Sequence, residues 1–211
     1  MNRKAHWDRI YRGTSPELMS WYQREPTLSL ALIRRAIPDP SAAIIDVGGG
    51  ASTLVDGLLA AGYHRLTVLD LSGAALAAAQ TRLGTTAASV TWLEGDLLTT
   101  QLGPDAFDLW HDRAVFHFLT DPADRWRYVA QLRRAVRPGG FVLMATFAPD
   151  GPPRCSGRDV IRYSGETLEA ELGAGFQLLS SEREEHRTPT GRTQSFTYCV
   201  FRSWSSQAGA S

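Results

Sequence analysis

The run Ala42-Ala43-Ile44-Ile45-Asp46-Val47 ends in Gly48-Gly49-Gly50, and a helical pattern opens directly behind it. A short apolar run that stops at glycines reads as a buried parallel strand. Parallel strands need a crossover, usually a helix, so this junction commits the chain around it to a β-α arrangement. The pattern then repeats. Ser52 is placed to cap a helix to about Ala61, with Gly62 behind it, and Leu66–Asp70 is a second strand. Ser72 caps a helix to Leu83, closed by Gly84, and Val90–Glu94 and Phe107–His111 are the third and fourth strands. Asp121-Pro122 opens a helix to about Val136, Pro138-Gly139-Gly140 stops it, and Phe141–Ala145 is a fifth strand. A shorter helix falls near Glu166–Leu172. Phe176–Arg187 and Gln194–Ser203 then flank Thr188-Pro189-Thr190-Gly191 as an antiparallel hairpin. The expectation is an α/β fold: a Rossmann-like, mostly parallel sheet with helices on both faces and one reversed strand.

Residues 1–40 stand outside that repeat. Trp7, Tyr11, Trp21 and Tyr22 sit among charges, and Pro26 opens an apolar-periodic helix through Ile37. This segment reads as short helices across one end of the sheet, with the aromatics either filling gaps or forming a lid. The division expected is a lid over 1–40, a main domain over 41–203 and a fraying tail over 204–211.

Composition narrows the function. Lys+Arg and Asp+Glu are 22 each, so the formal net charge is +0, and no surplus positive charge points to a protein living mainly on phosphate contacts, a local basic patch aside. Two cysteines and no Cys-x-x-Cys pair make no disulfide framework and fit a reducing compartment. With no apolar leader and no membrane-length run, a cytoplasmic protein is expected. No His/Cys/acid spacing suits a metal, and none is expected.

The glycine loop is not a dinucleotide fingerprint, because the last glycine of that pattern would fall at Thr53. It is not a phosphate loop either, since no Gly-Lys-Ser/Thr follows. Instead Asp46, Asp70 and Asp96 recur at the ends of three successive strands. A carboxylate at Asp70 is placed for both hydroxyls of a ribose, and Asp96 for an adenine amine. Such a rim suits an adenosine that carries no phosphates.

On these residues the sequence resembles the class I S-adenosylmethionine-dependent methyltransferases over roughly residues 40–203. Asp46-x-Gly48-x-Gly50-x-Ser52 is similar to their first motif, with serine for the third glycine. Phe107-Asp108-Leu109 and Arg137-Pro138-Gly139-Gly140 are similar to two later ones. The resemblance implies a seven-stranded sheet and S-adenosylmethionine as cofactor. It places Gly48, Gly49 and Gly50 at the methionine part, Asp70 at the ribose, Asp96 with Leu97 at the adenine and Leu71 on the purine face. Asp46, His111, Trp7, Tyr11 and Trp21 complete the candidate cofactor set, the aromatics through cation–π contact with a sulfonium.

After the fourth strand, His117 is the candidate general base, although its neighbours Val115, Phe116 and Phe118 equally suit a packed core histidine. Asp112 or Arg113 is placed to orient the acceptor or bind the cofactor's carboxylate. His6-Trp7-Asp8-Arg9-Ile10-Tyr11 with Ser20-Trp21-Tyr22 resembles a segment shared by thiopurine and small-thiol S-methyltransferases and by a group of protein lysine methyltransferases. Asp112-Arg113-Ala114 resembles their Asp-Arg-Gly, with alanine for glycine. A thiol near pKa 8.5 ionises more readily than a lysine near 10.4. The expected acceptor is therefore a small thiol, sulfide or related soft nucleophile. A protein lysine is the alternative, and a non-catalytic cofactor-binding domain a further one. A monomer or homodimer without nucleic-acid or membrane partners completes the expectation.

Overall fold

The computed structural model describes residues 3–204, so most of the expected fraying tail lies outside the described residues. Seven strands form one sheet: β1 (Ala43–Val47), β2 (Arg65–Asp70), β3 (Val90–Glu94), β4 (Phe107–Arg113), β5 (Val136–Phe147), β8 (Phe176–Arg187) and β9 (Thr193–Ser203). A two-stranded ribbon, β6 (Arg154–Cys155) and β7 (Arg158–Asp159), projects after β5. The sheet order is β3-β2-β1-β4-β5-β9-β8. β1 to β5 run parallel, and β9 is antiparallel to both its neighbours.

Alternate side chains of the central strands feed two cores, one on each face. Ile45, Val47, Trp110, Val142 and Met144 pack on one side. Ile44, Leu66, Val68, Leu109 and Leu143 pack on the other. Helices α3 (Leu54–Ala60), α4 (Gly73–Leu83), α5 (Pro122–Ala135) and α6 (Gly165–Leu172) cover the sheet. The expected caps of α4 and α5 form. The Ser72 hydroxyl accepts from Ala75 N at 3.3 Å, and Asp121 accepts from Ala123 N at 2.9 Å with Pro122 in the first turn.

Three local expectations need correction. Thr53, not Ser52, occupies the cap position of α3, while the Ser52 hydroxyl accepts from Leu54 N at 3.1 Å. Arg137–Gly140 does not precede β5 but belongs to it. Val136 pairs with Phe107 and Phe141 with Leu109, so the extra residues bulge out of the ladder. Gly139 at φ +76° supplies the turn that lets the strand rejoin its partner. The β6–β7 ribbon was not anticipated, and it turns through Ser156 and Gly157, both at positive φ.

The N-terminal segment forms α1 (Arg3–Gly13), a short 3-10 turn over Pro16–Leu18 and α2 (Thr27–Ala36). α2 buries Ser29, Leu32 and Ile33 against the body of the fold. α1 buries no residue fully and is held by polar contacts together with the packing of Trp7 and Tyr11. Lys4 pairs with Glu94 at 2.8 Å, and the Ser72 hydroxyl donates to Asp8 at 2.7 Å.

Candidate active site

β1 and β4 are neighbours whose chain connections leave in opposite directions, so the rim between them is a topological switch point, where open α/β sheets bind ligands. Strand ends and following turns bring the candidate residues there. Gly48–Gly50 follow β1, Asp70 ends β2, Asp96 and Leu97 follow β3, and His111–Arg113 end β4. α1 brings Trp7 and Tyr11 over this edge.

Two cavities meet at the edge. The first is bounded by Asp70, Leu71, Asp96 and Leu97 on the strand side and by Arg3, Trp7 and Phe118 above. The second is bounded by Asp46, Gly49, Ser52, Ser29 and His111. Tyr11, Trp21, Gly48 and Arg113 line both. Trp7 meets Trp21 and Phe118 edge-to-face, with ring centres 5.8 and 5.2 Å away, so the wall at this boundary is aromatic.

The glycines keep the floor bare. Gly48 has φ +65°, and a Cβ there would fall 2.0 Å from Val115 Cγ2. A Cβ on Gly50, at φ +38°, would meet Asp70 Oδ2 at 2.7 Å and the Tyr11 hydroxyl at 3.2 Å. Asp70 Oδ1 accepts from Ser72 N at 2.8 Å, while its other oxygen faces the loop. Burial lifts its pKa to about 7, and the charges of Asp46 and Asp8 push the same way against the Ser72 hydrogen bond.

Asp96 is shared. Its Oδ1 accepts from Leu98 N at 3.0 Å and its Oδ2 pairs with Arg3 at 3.1 Å, a contact across 93 residues that sequence reasoning missed. His111 links two other elements. Its Nδ1 lies 2.7 Å from Asp46 Oδ1 and its Nε2 lies 2.9 Å from the Ser29 hydroxyl, all three side chains being buried. Ser29, on α2, was not among the expected site residues, and its helical position carries no local motif.

The residues after β4 divide. Arg113 reaches both cavities, but neither Asp112 nor His117 lines them. Asp112 is fully buried and accepts from Val115 N at 3.0 Å, Phe116 N at 3.1 Å and the Tyr128 hydroxyl at 2.6 Å. Burial raises its pKa to about 6 despite these bonds. His117 is fully buried between Phe118 and Phe147, and Phe147 N donates to its Nδ1 at 3.4 Å. Burial, with the Arg113 charge adding to it, drops its pKa to about 3, so the ring stays neutral. Ala114 adopts φ +67°, the left-handed conformation that favours glycine, and it lines the first cavity.

Residues 44–140 match the methyltransferase domain family. Those residues form a methyltransferase domain of the class I S-adenosylmethionine-dependent type. The chain is 32% identical over 121 residues to an uncharacterized methyltransferase of Mycobacterium tuberculosis, covering 56% of each chain. It therefore spans about half the length of the curated relatives it matches. Its fold is similar to a structure described by the conversion of a disulfide bond into a thioacetal group during echinomycin biosynthesis. That likeness has a TM-score of 0.79 and 20% identity, covering 98% of this chain and 95% of the other. It is also similar to the N-methyltransferase NodS of Bradyrhizobium japonicum in complex with S-adenosyl-L-homocysteine. There the TM-score is 0.72 at 17% identity, covering 96% and 99%. The cofactor of the family is S-adenosylmethionine. Among the described residues no helix is long and apolar enough to cross a membrane, and no cluster of three His, Cys, Asp or Glu is placed to hold a metal.

Proposed function

We propose that the protein transfers a methyl group from S-adenosylmethionine to a small soft nucleophile, best a thiol or sulfide. The observation that carries the acceptor is the aromatic boundary between the cavities, formed by Trp7, Trp21 and Phe118. Cys155 lines the first cavity, but burial pushes its thiol up, and burial pushes the Tyr11 phenol up as well. His117 and Asp112 line neither cavity, which supports the packed-core alternative for His117 and a packing role for Asp112. The carboxylates that line the cavities, Asp46, Asp70 and Asp96, are assigned to the cofactor, which leaves no base assigned to the acceptor. A thiol, with a pKa of about 8.5, gives up its proton more readily than an amine near 10.4 and so needs less help from a base.

The residues fit the cofactor. The Asp70 carboxylate is buried, with Oδ2 facing bare Gly50, and the two hydroxyls of a ribose would supply it with further hydrogen-bond donors. Asp96 with Leu97 would face the adenine and Leu71 its plane. Gly48 and Gly49, Asp46, His111 and Arg113 would hold the amino-acid end in the second cavity. When bound, the cofactor supplies an electrophilic methyl on a sulfonium. Trp21, with Trp7 and Tyr11, would then face that positive charge, a contact of about 0.5–2 kcal/mol. The segment over 3–40 acts as the lid that keeps water out, which favours meeting of thiolate and sulfonium. The relative whose described chemistry joins disulfide and thioacetal supports a sulfur acceptor.

Incubating the protein with methyl-labelled cofactor and a panel of small thiols, amines and carboxylic acids tests the reading. Methyl thioethers as the dominant product support it, and methylation confined to amines or carboxylates contradicts it.

A further inference from the structure

The stretch that carries Trp21 has no regular structure between the 3-10 turn and α2, so its backbone groups need outside partners. Side chains from the edge strand β8, from the central strand β4 and from the start of α3 supply them. His186 on β8 donates from Nε2 to the Ser20 carbonyl at 2.8 Å. Arg113 Nη1 donates to the Trp21 carbonyl at 2.9 Å. Gln23 donates its side-chain amide to Glu184 Oε1 at 2.9 Å, and the Thr53 hydroxyl donates to the Gln23 carbonyl at 2.9 Å.

These partners are themselves joined. The Tyr198 hydroxyl donates to Glu184 Oε2 at 2.8 Å and accepts from Arg113 Nε at 2.7 Å. The Arg113 guanidinium lies 4.3 Å over the Phe196 ring, and the His186 ring meets the same phenyl edge-to-face at 6.1 Å. Glu184 and His186 line neither cavity. Their strand is the outermost of the sheet, yet it reaches the Trp21 segment directly at the Ser20 carbonyl and the Gln23 side-chain amide, and through Tyr198 and Arg113 at the Trp21 carbonyl.

We propose that Glu184 and His186 are positioning residues: with Arg113 and Tyr198 they form a socket that docks Ser20–Gln23 and fixes the Trp21 ring between the two cavities. The C-terminal hairpin thereby governs how tightly the cofactor is enclosed. This inference rests on the cofactor lying in the joined cavities. Burial keeps the His186 imidazole below its usual range, so it serves as a neutral donor to Ser20. A pure sheet-stabilising role for these residues would leave the Trp21 segment unaffected.

Two readouts test it in Glu184→Ala, His186→Phe and the conservative Glu184→Gln. Hydrogen exchange without ligand reports the docking of residues 20–23, with β5 and β9 as folding controls. Stopped-flow release of S-adenosylhomocysteine reports enclosure. The expected result is exchange and release both faster by roughly tenfold in the alanine and phenylalanine variants, with the control strands unchanged. Glu184→Gln, which still offers a hydrogen-bond acceptor to Tyr198, should return most of both effects. Unchanged exchange at 20–23 overturns the socket, and faster exchange with unchanged release overturns its hold on the cofactor. A wild-type protein that does not bind S-adenosylhomocysteine would contradict the cofactor reading instead, while the ligand-free exchange still decides the docking.

Discussion

Arg3 and Asp96 form an ion pair of 3.1 Å at the edge of the first cavity, joining the N-terminal helix to the acid assigned to adenine. Arg3 also pairs with Asp124 of α5 at 3.2 Å, so one guanidinium spans two elements of the main domain. α1 has no fully buried residue, and charge contacts carry much of its attachment. Both partners of the first pair are about one-third exposed, so its own contribution to stability is at most about 1 kcal/mol. Its consequence is kinetic. Raising salt screens such pairs and should speed cofactor release, measured by stopped-flow fluorescence. The Arg3→Ala, Lys4→Ala double variant should release quickly at low salt and lose that salt dependence, with little change in melting temperature.

Asp70 gives cofactor binding a pH dependence. Its carboxyl titrates near pH 7 in the free protein because burial disfavours the charge. Ribose hydroxyls donate to the carboxylate, so binding selects the ionised form. Affinity for S-adenosylhomocysteine should therefore be greatest above pH 8 and fall by about tenfold per unit as pH drops below 7. Calorimetry across pH checks this. Asp70→Ala should weaken binding by about 1.5–3 kcal/mol and flatten the profile.

Ala114 holds a conformation that its side chain disfavours, at φ +67°, between Arg113 and Val115 on the cavity wall. Its amide is fixed by a 2.8 Å bond to the Ala145 carbonyl, so the backbone cannot relax. Ala114→Gly should raise stability by about 1 kcal/mol, read from denaturant unfolding, because the relieved strain exceeds glycine's added freedom in the unfolded chain.

The sheet was legible because each strand from β1 to β5 is a local apolar run bounded by a helix signal. The site's acids were legible because strand ends repeat their placement. What escaped reading was set by contacts between distant residues. α1 shows no buried stripe, and its anchors, Asp96, Glu94 and Ser72, lie far along the chain. Ser29 joins the site only because α2 lays it against His111. Pro138-Gly139-Gly140 read as a stop because proline and glycine break helices, but the same residues also permit a bulge inside a strand. His117 looked equally like a base or a core residue, since a neighbourhood of aromatic residues does not reveal whether a cavity lies beside it.

Asp112 separates packing from chemistry. It holds two backbone amides and the Tyr128 hydroxyl in the core, and the Tyr128 hydroxyl also accepts from the Trp110 indole at 2.9 Å. Asp112→Asn turns an amide donor toward groups that already donate, which should cost about 1–3 kcal/mol of folding stability. The folded fraction should bind S-adenosylhomocysteine with unchanged affinity. A stable variant with a lost cofactor or acceptor KM would return Asp112 to the site.

The central claim joins one cofactor across two cavities to a sulfur acceptor at their aromatic boundary. Single-turnover transfer of a labelled methyl group to a small alkyl thiol, followed by mass spectrometry and compared with Trp21→Ala, tests it most directly. The account predicts a methyl thioether from the wild-type protein and a rate reduced by about ten- to a hundredfold in the variant. No thioether from a protein that binds the cofactor, or an unchanged rate in the variant, would contradict it.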